Sequence, residues 1–324
     1  MKKYLQSLII AVSILIASCN NAETKTVQDA GKTTGDPIQE INATNSRTQF
    51  AEINNKKIAY RSIGKGDPII LCQRFRGNLD DWDPAFLDGL ARYYTVIIFD
   101  YTGMGSSVGA PHTNMLEFAK DAVDLADALK IEKFIIGGWS LGGWAAQLVT
   151  TEFPDRVAQT ILIGTKPPGK VNHLFEDIFQ KTAYIFNNTL EHEEILFFEP
   201  ISAFSRAAAA KSHARIAART IDKEGLVKQE LWKHYGMGGE DFVKDPYHAR
   251  DKLTTTSIPI LVISGDHEIC FPPENWFELN RKLPTTQVVV IPRTGHAPHH
   301  QYPEMVTSYI HTFLDDNKRA GTSH

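Results

Sequence analysis

Short apolar runs alternate with stretches of helical period from Phe50 to Leu314. Residues 50–53 and 57–63 read as two strands joined at Asn54-Asn55, a hairpin signal. Residues 68–72, 95–99, 133–136, 160–163, 258–263 and 287–291 read as further strands. Between them lie helical patterns. One starts at Asp83-Pro84, with proline tolerated in the first turn, and runs to about Leu90. Met115, Phe118, Ala119, Ala122, Ala126 and Leu129 form the apolar face of a second. Others follow residue 142, span 274–282, and close the pattern at 303–314. Strands alternating with helices predict an α/β fold: a mostly parallel sheet covered by helices on both faces.

The alternation breaks between residues 167 and 252. That segment is helix-favouring at 207–210, 216–219 and 226–232, and rich in aromatics such as Phe175, Phe179, Tyr184, Phe186, Phe197, Phe198 and Phe204. It reads as a helical cap inserted between two strands, its aromatics mostly packing it onto the core and a few lining a pocket. The core then falls into two parts, 49–166 and 253–316, with a tail at 317–324. The N-terminus differs again. Met1-Lys2-Lys3 is positive, residues 8–17 are apolar apart from Ser13, and Ala17-Ser18 are small. The apolar run is too short to span a bilayer and reads as an export signal, 1–18. Ile16-Ala17-Ser18-Cys19 resembles the lipobox of bacterial lipoproteins, in which the cysteine is lipidated. That resemblance implies a lipid anchor at Cys19 and, with Asn20 following, the outer membrane. Residues 19–48, rich in Asn, Thr, Lys and Gln without apolar period, read as a disordered tether.

Composition narrows the classes further. The 324 residues are 42% hydrophobic with a net charge of −4. That is globular usage, and it lacks the basic footprint of a nucleic-acid binder. Three cysteines, Cys19, Cys72 and Cys270, give no disulfide framework. Gly103-Met104-Gly105 follows a strand, but Val108 leaves the dinucleotide fingerprint incomplete, and no cofactor is expected.

The chemistry concentrates at Gly138-Trp139-Ser140-Leu141-Gly142, between an apolar strand and a small-residue helix. A serine flanked by glycines at a strand-to-helix turn is a nucleophile elbow. Serine needs a general base, and histidine suits because its charge changes near neutrality. His296 follows a late strand and Gly295. His299 and His300 fall just after it, and His311 lies in the last helix. The base in turn needs a carboxylate to hold its tautomer. Asp266 and Glu268 both follow the strand at 258–263.

Four stretches in order resemble the α/β-hydrolases of the capped kind, which include esterases, lipases, C–C hydrolases and cofactor-free haloperoxidases. They are the elbow, the turn Asp100-Tyr101-Thr102-Gly103-Met104-Gly105-Ser106-Ser107, the loop from Ser264 to Pro272, and Thr294-Gly295-His296-Ala297-Pro298. The resemblance implies a serine hydrolase acting on a small-molecule carboxylic ester through an acyl-enzyme. Haloperoxidase or perhydrolase chemistry on the same triad is the enzymatic alternative, and a non-catalytic binding protein on this scaffold the alternative of another class. In the family the acid stands three residues after the glycine and four before a proline. That selects Glu268 between Gly265 and Pro272, with Asp266 as fallback. The oxyanion hole implied is the backbone N–H of Leu141 and that of Phe75. Where the family has His-Gly this chain has Gln73-Arg74. Either Gln73 or Arg74 points toward the site and helps bind an acidic or carbonyl group on the substrate, or Arg74 reaches solvent or pairs with Asp80, Asp81 or Asp83. Trp139, beside the nucleophile, is a further substrate-binding candidate.

Overall fold

The computed structural model describes residues 41–53 and 55–321. The export signal, Cys19 and most of the tether lie outside the described residues. Eight strands form one sheet: β1 (Gln49–Ile53), β2 (Lys56–Ile63), β3 (Asp67–Cys72), β4 (Tyr94–Phe99), β5 (Phe134–Trp139), β6 (Val157–Ile163), β7 (Ile260–Gly265) and β8 (Thr286–Ile291). Their order across the sheet is β1-β2-β4-β3-β5-β6-β7-β8. β1 pairs antiparallel with β2, and β2 with β4; every later pairing is parallel.

The central strands are apolar on both sides because helices cover both faces. Ile70, Ile97 and Ile136 join one core layer with Phe118, Ala122 and Ala145. Those last three sit on α2 (Met115–Ala128) and α3 (Leu141–Glu152). Ile69, Leu71 and Ile98 join the opposite layer with Phe86 and Ile310. These lie on α1 (Pro84–Ala91) and the C-terminal helix that begins at Pro303. Alternate residues of a strand thus serve opposite layers, as the period of two requires. Caps set the helix starts: Asp83 accepts from the Ala85 N–H at 2.9 Å, and Asn114 from the Glu117 N–H at 3.0 Å.

Five helices fill the chain between β6 and β7: α4 (Asp177–Ala183), α5 (Leu190–Phe197), α6 (Ala203–Ala217), α7 (Trp232–Lys244) and α8 (Ala249–Leu253). Three more follow: α9 (Glu274–Phe277), α10 (Pro298–Gln301) and α11 (Pro303–Gly321).

Several boundaries depart from the pattern in the sequence. β6 begins at Val157, earlier than its apolar run suggests, because Gln159 interrupts the run yet is buried with its amide donating to Leu314 O at 3.0 Å. β7 begins only at Ile260, after Pro259, whose ring has no N–H for a ladder. The helix expected over 274–282 stops at Phe277. Arg281 has φ +66°, and Pro284 biases Leu283 away from helical backbone. The stretch 226–232 is helical only from Gln229, through a 3-10 turn at Gln229–Leu231 into α7.

Candidate active site

Strand β5 runs straight into α3 with Ser140 at the junction, at φ +60° and ψ −121°. This is a sparsely populated conformation for a residue with a side chain, and costs on the order of 1–3 kcal/mol. The surroundings hold it. The Ser140 N–H donates to Ile163 O at 2.9 Å, and its own carbonyl accepts from the Gly143 N–H at 2.9 Å. The turn closes so tightly that a Cβ on Gly138 would lie 2.1 Å from Gly142 O, and one on Gly142 2.0 Å from Cys72 O. The second contact presses the start of α3 against the end of β3, where the loop after β3 begins.

Gly164 follows Ile163 and touches the next two groups: a Cβ there would be 2.5 Å from His296 O and 3.2 Å from Glu268 Oε2. His296 lies in the turn after β8 and is 1% exposed. Its Nδ1 is 2.7 Å from Glu268 Oε2. The other carboxylate oxygen of Glu268 accepts from the N–H of Cys270 at 2.8 Å and of Phe271 at 3.2 Å. Glu268 is therefore a buried, oriented carboxylate with both oxygens committed. Asp266 is not: it is exposed, and its Oδ1 accepts from the Thr294 N–H at 3.2 Å, binding the two loops together. The structure brings His296 to Glu268 and gives Asp266 a turn-holding contact.

Trp139 is fully buried beneath the histidine. Its indole N–H donates to His296 O at 2.9 Å, and its ring packs on Trp82, Phe197, His299 and His300. These are packing and positioning contacts, at odds with a substrate-facing side chain. His299 and His300 belong to the same apolar cluster. Burial lowers both below the ordinary histidine range, His300 to about 4, so both are neutral near pH 7. His311 stacks on Tyr93 at 3.8 Å and meets Tyr94 Oη at 3.0 Å, contacts that engage its ring apart from His296 and Glu268.

The loop after β3 lacks the family's glycine and is held by side chains instead. Gln73 is fully buried and folds back on its own loop. Its amide donates to Asn78 O and accepts from the Arg74 N–H, so it does not reach outward. Arg74 pairs with Asp81 at 2.6 Å, donates to Phe75 O at 2.9 Å, and spreads over the rings of Trp139 and Phe197 at 5.2 and 5.1 Å. Of the two readings left open for Arg74, the ion pair is the one present. Asp100, at the head of the glycine-rich turn, accepts from the N–H of Leu79 at 3.0 Å and of Ser106 at 2.8 Å, tying that turn to this loop. The N–H groups of Leu141 and Phe75 have no hydrogen-bond acceptor among the described residues. Leu141 opens α3, where a helix leaves its first N–H groups free for a ligand.

The cap aromatics, a few of which were expected to line a pocket, are placed individually here, whereas Phe271, Lys166 and Arg76 carry no such signal in the sequence. Phe179 of α4 and Phe197 of α5 roof the histidine, with ring centroids 5.6 and 6.4 Å from it, and Phe271 walls it at 5.7 Å. Lys166, three residues past β6, is buried over Trp144 and Phe242 at 5.4 and 5.1 Å. Burial, then the charge of Arg250, lowers it to about 8. Arg76 stands at φ +52° beside Phe75. Only its chain position relative to Phe75 was visible beforehand. Cys72 and Cys270 are both buried and unbridged, and burial raises both thiols.

Residues 67–303 match the family model described as the alpha/beta hydrolase fold. Among curated proteins, the chain is 27% identical to a pimeloyl-[acyl-carrier protein] methyl ester esterase of Vibrio campbellii, covering 74% of this chain and 91% of that one. It is 26% identical to a putative non-heme chloroperoxidase of Synechocystis, covering 79% and 94%. Among solved structures, an alpha/beta hydrolase fold protein from Chitinophaga pinensis aligns with TM-score 0.76 and 28% identity over 85% of this chain and 99% of that one.

Proposed function

The chain belongs to the alpha/beta hydrolase fold family, and from that premise we propose that it cleaves carboxylic esters through an acyl-enzyme formed on Ser140. The observation that carries the proposal is the buried 2.7 Å contact between His296 and Glu268, beside a serine held in a strained elbow. In this reading His296 Nε2 takes the proton of Ser140 as its Oγ attacks the ester carbonyl. Glu268 holds the proton on Nδ1 and stabilises the imidazolium. The N–H groups of Leu141 and Phe75 receive the oxyanion, in a site where the Phe179 and Phe197 roof keeps water sparse. His296 then protonates the leaving alcohol, and afterwards activates the water that releases the acid. Hydrolysis of p-nitrophenyl acetate tests this: the wild type should show a burst of p-nitrophenol, and Ser140→Ala should show neither burst nor turnover. Wild-type protein that leaves a panel of short esters intact would refute it.

Similarity to a protein named as a putative chloroperoxidase supports a second reading, in which hydrogen peroxide intercepts the same acyl-enzyme and leaves with the acyl group as a peracid. Peracid formation from acetate and peroxide, lost in Ser140→Ala, is its signature. We further read the chain as exported and lipid-anchored through Cys19. This rests on the N-terminal sequence alone, and Cys19→Ser should move the protein from the membrane to the soluble fraction.

A further inference from the structure

Ester cleavage at Ser140 leaves unused a cavity of about 150 Å³ beside the loop that follows β3, walled by Arg74, Arg76, Asn188, Phe197 and Trp232. Its two arginines differ. Arg74 is neutralised by Asp81 at 2.6 Å. Arg76 has no carboxylate within ion-pair distance among the described residues. One of its N–H groups donates to Ile185 O, and its guanidinium lies 4.9 Å over the Trp232 ring. Glu193, on the same wall, is engaged by His213 at 2.9 Å. Burial, then the neighbouring Arg74 charge, lowers Arg76 to about 10, only partly offset by Asp81. It is still a cation at neutral pH, but one lacking a counter-charge.

Other features mark the cavity as built to receive something. Arg74 Nε is buried without a hydrogen-bond partner, a donor on the cavity wall that a carboxylate satisfies, while Asn188 Oδ1, also unpartnered, is an acceptor that disfavours added negative charge. The backbone at Arg76 is left-handed at φ +52°, a strained conformation for a residue with a Cβ. Gly77, the next residue, would take it freely. The strain therefore falls on the residue whose side chain enters the cavity.

The cavity also adjoins the reaction centre. Arg76 follows Phe75, the proposed oxyanion donor, with Cα atoms about 3.8 Å apart. Phe197 lines the cavity while packing on Trp139 at 5.2 Å and roofing His296. We propose that this cavity receives a carboxylate carried by the substrate away from its scissile ester, with Arg76 as the counter-charge. The inference rests on the ester-hydrolase reading and names its substrate class. A carboxylate suits better than a phosphate. The guanidinium fork matches its two oxygens, whereas Asp81 and the Asn188 carbonyl oppose a second negative charge. Phe186, Leu226 and Val227 on the remaining walls suit a methylene chain.

The test pairs each ester with its neutral carboxamide isostere. Monomethyl glutarate against methyl 4-carbamoylbutanoate places the carboxylate on the acyl side; acetoxyacetate against acetoxyacetamide places it on the alcohol side. In the arm that matches the cavity, wild type should favour the carboxylate by about tenfold or more in kcat/KM. Arg76→Gln should bring that ratio toward one, and Arg76→Lys should keep part of it. A ratio near one in both arms, or one that Arg76→Gln leaves in place, overturns the proposal. Binding is read separately from turnover as the thermal shift produced by glutarate against glutaramide. A shift specific to glutarate and abolished by Arg76→Gln supports the cavity even if no ester is cleaved, in which case it is the hydrolase reading that fails. Equal shifts from both compounds count against the cavity.

Discussion

Replacing Glu268 by glutamine changes one charge and almost no volume. The carboxylate meets His296 Nδ1 at 2.7 Å through one oxygen and two backbone N–H groups through the other. In the variant the amide oxygen keeps the backbone contacts, and the NH₂ group then faces Nδ1. A protonated Nδ1 cannot remain opposite that donor, so the ring takes the tautomer that leaves Nε2 unable to accept the serine proton. The imidazolium also loses its counter-charge. Unit charges about 4 Å apart at an effective dielectric near 20 interact by about 4 kcal/mol. That is roughly a thousandfold in rate. The expected outcome is a loss of about 10³ in kcat/KM on p-nitrophenyl acetate, with little change in KM. Folding is checked by thermal denaturation, where losing charge-assisted bonds should cost only about 1–3 kcal/mol. Asp266→Asn, whose carboxylate meets only the Thr294 N–H and, at 4.0 Å, the exposed His267 ring, should stay within about threefold of wild type. If Asp266→Asn loses the thousandfold while Glu268→Gln is nearly normal, the assignment of the acid is wrong.

Three further outcomes follow from the same structure. Gly142→Ala drives a methyl group against Cys72 O at 2.0 Å and should either abolish soluble expression or cost about 3 kcal/mol or more, read by urea denaturation. His300 titrates near 4 when folded and near 6.5 when unfolded, so the unfolded chain binds the extra proton between those values. Its contribution to stability is present above pH 6.5 and is lost as pH falls toward 4, by about 3 kcal/mol, and His300→Gln should flatten that slope in pH-dependent melting. Lys166 titrates near 8 when folded against 10.5 unfolded, so stability should rise between those pH values by about 3 kcal/mol relative to Lys166→Met, whose methionine has no proton to lose.

The fold class was legible because it depends on local signals. Apolar runs without alternation mark buried parallel strands, and Ile69, Ile70 and Leu71 indeed serve both core layers. The position of Ser140 is equally local, since the elbow's glycines and serine are contiguous in sequence. Choosing between Glu268 and Asp266 required knowing how the loop after β7 folds back on the turn after β8, a contact between segments about thirty residues apart. Side-chain direction was the least legible property. Gln73 and Trp139 are polar or amphipathic residues next to the chemistry, and both turn inward because a backbone group there needs a hydrogen-bond partner: Asn78 O for Gln73, His296 O for Trp139. That a few cap aromatics line a pocket was legible from composition, but which ones (Phe179 and Phe197) and the uncompensated Arg76 arise from tertiary packing that carries no short-range pattern.

The central claim is that Ser140 is a nucleophile activated by His296. A fluorophosphonate probe reports that property alone, independent of which ester the enzyme prefers. Mass spectrometry of the labelled protein should find the adduct on the peptide bearing Ser140, with labelling lost in Ser140→Ala and slowed by orders of magnitude in His296→Ala. Wild-type protein that is folded yet takes no label, or labelling that persists in Ser140→Ala, would contradict the account.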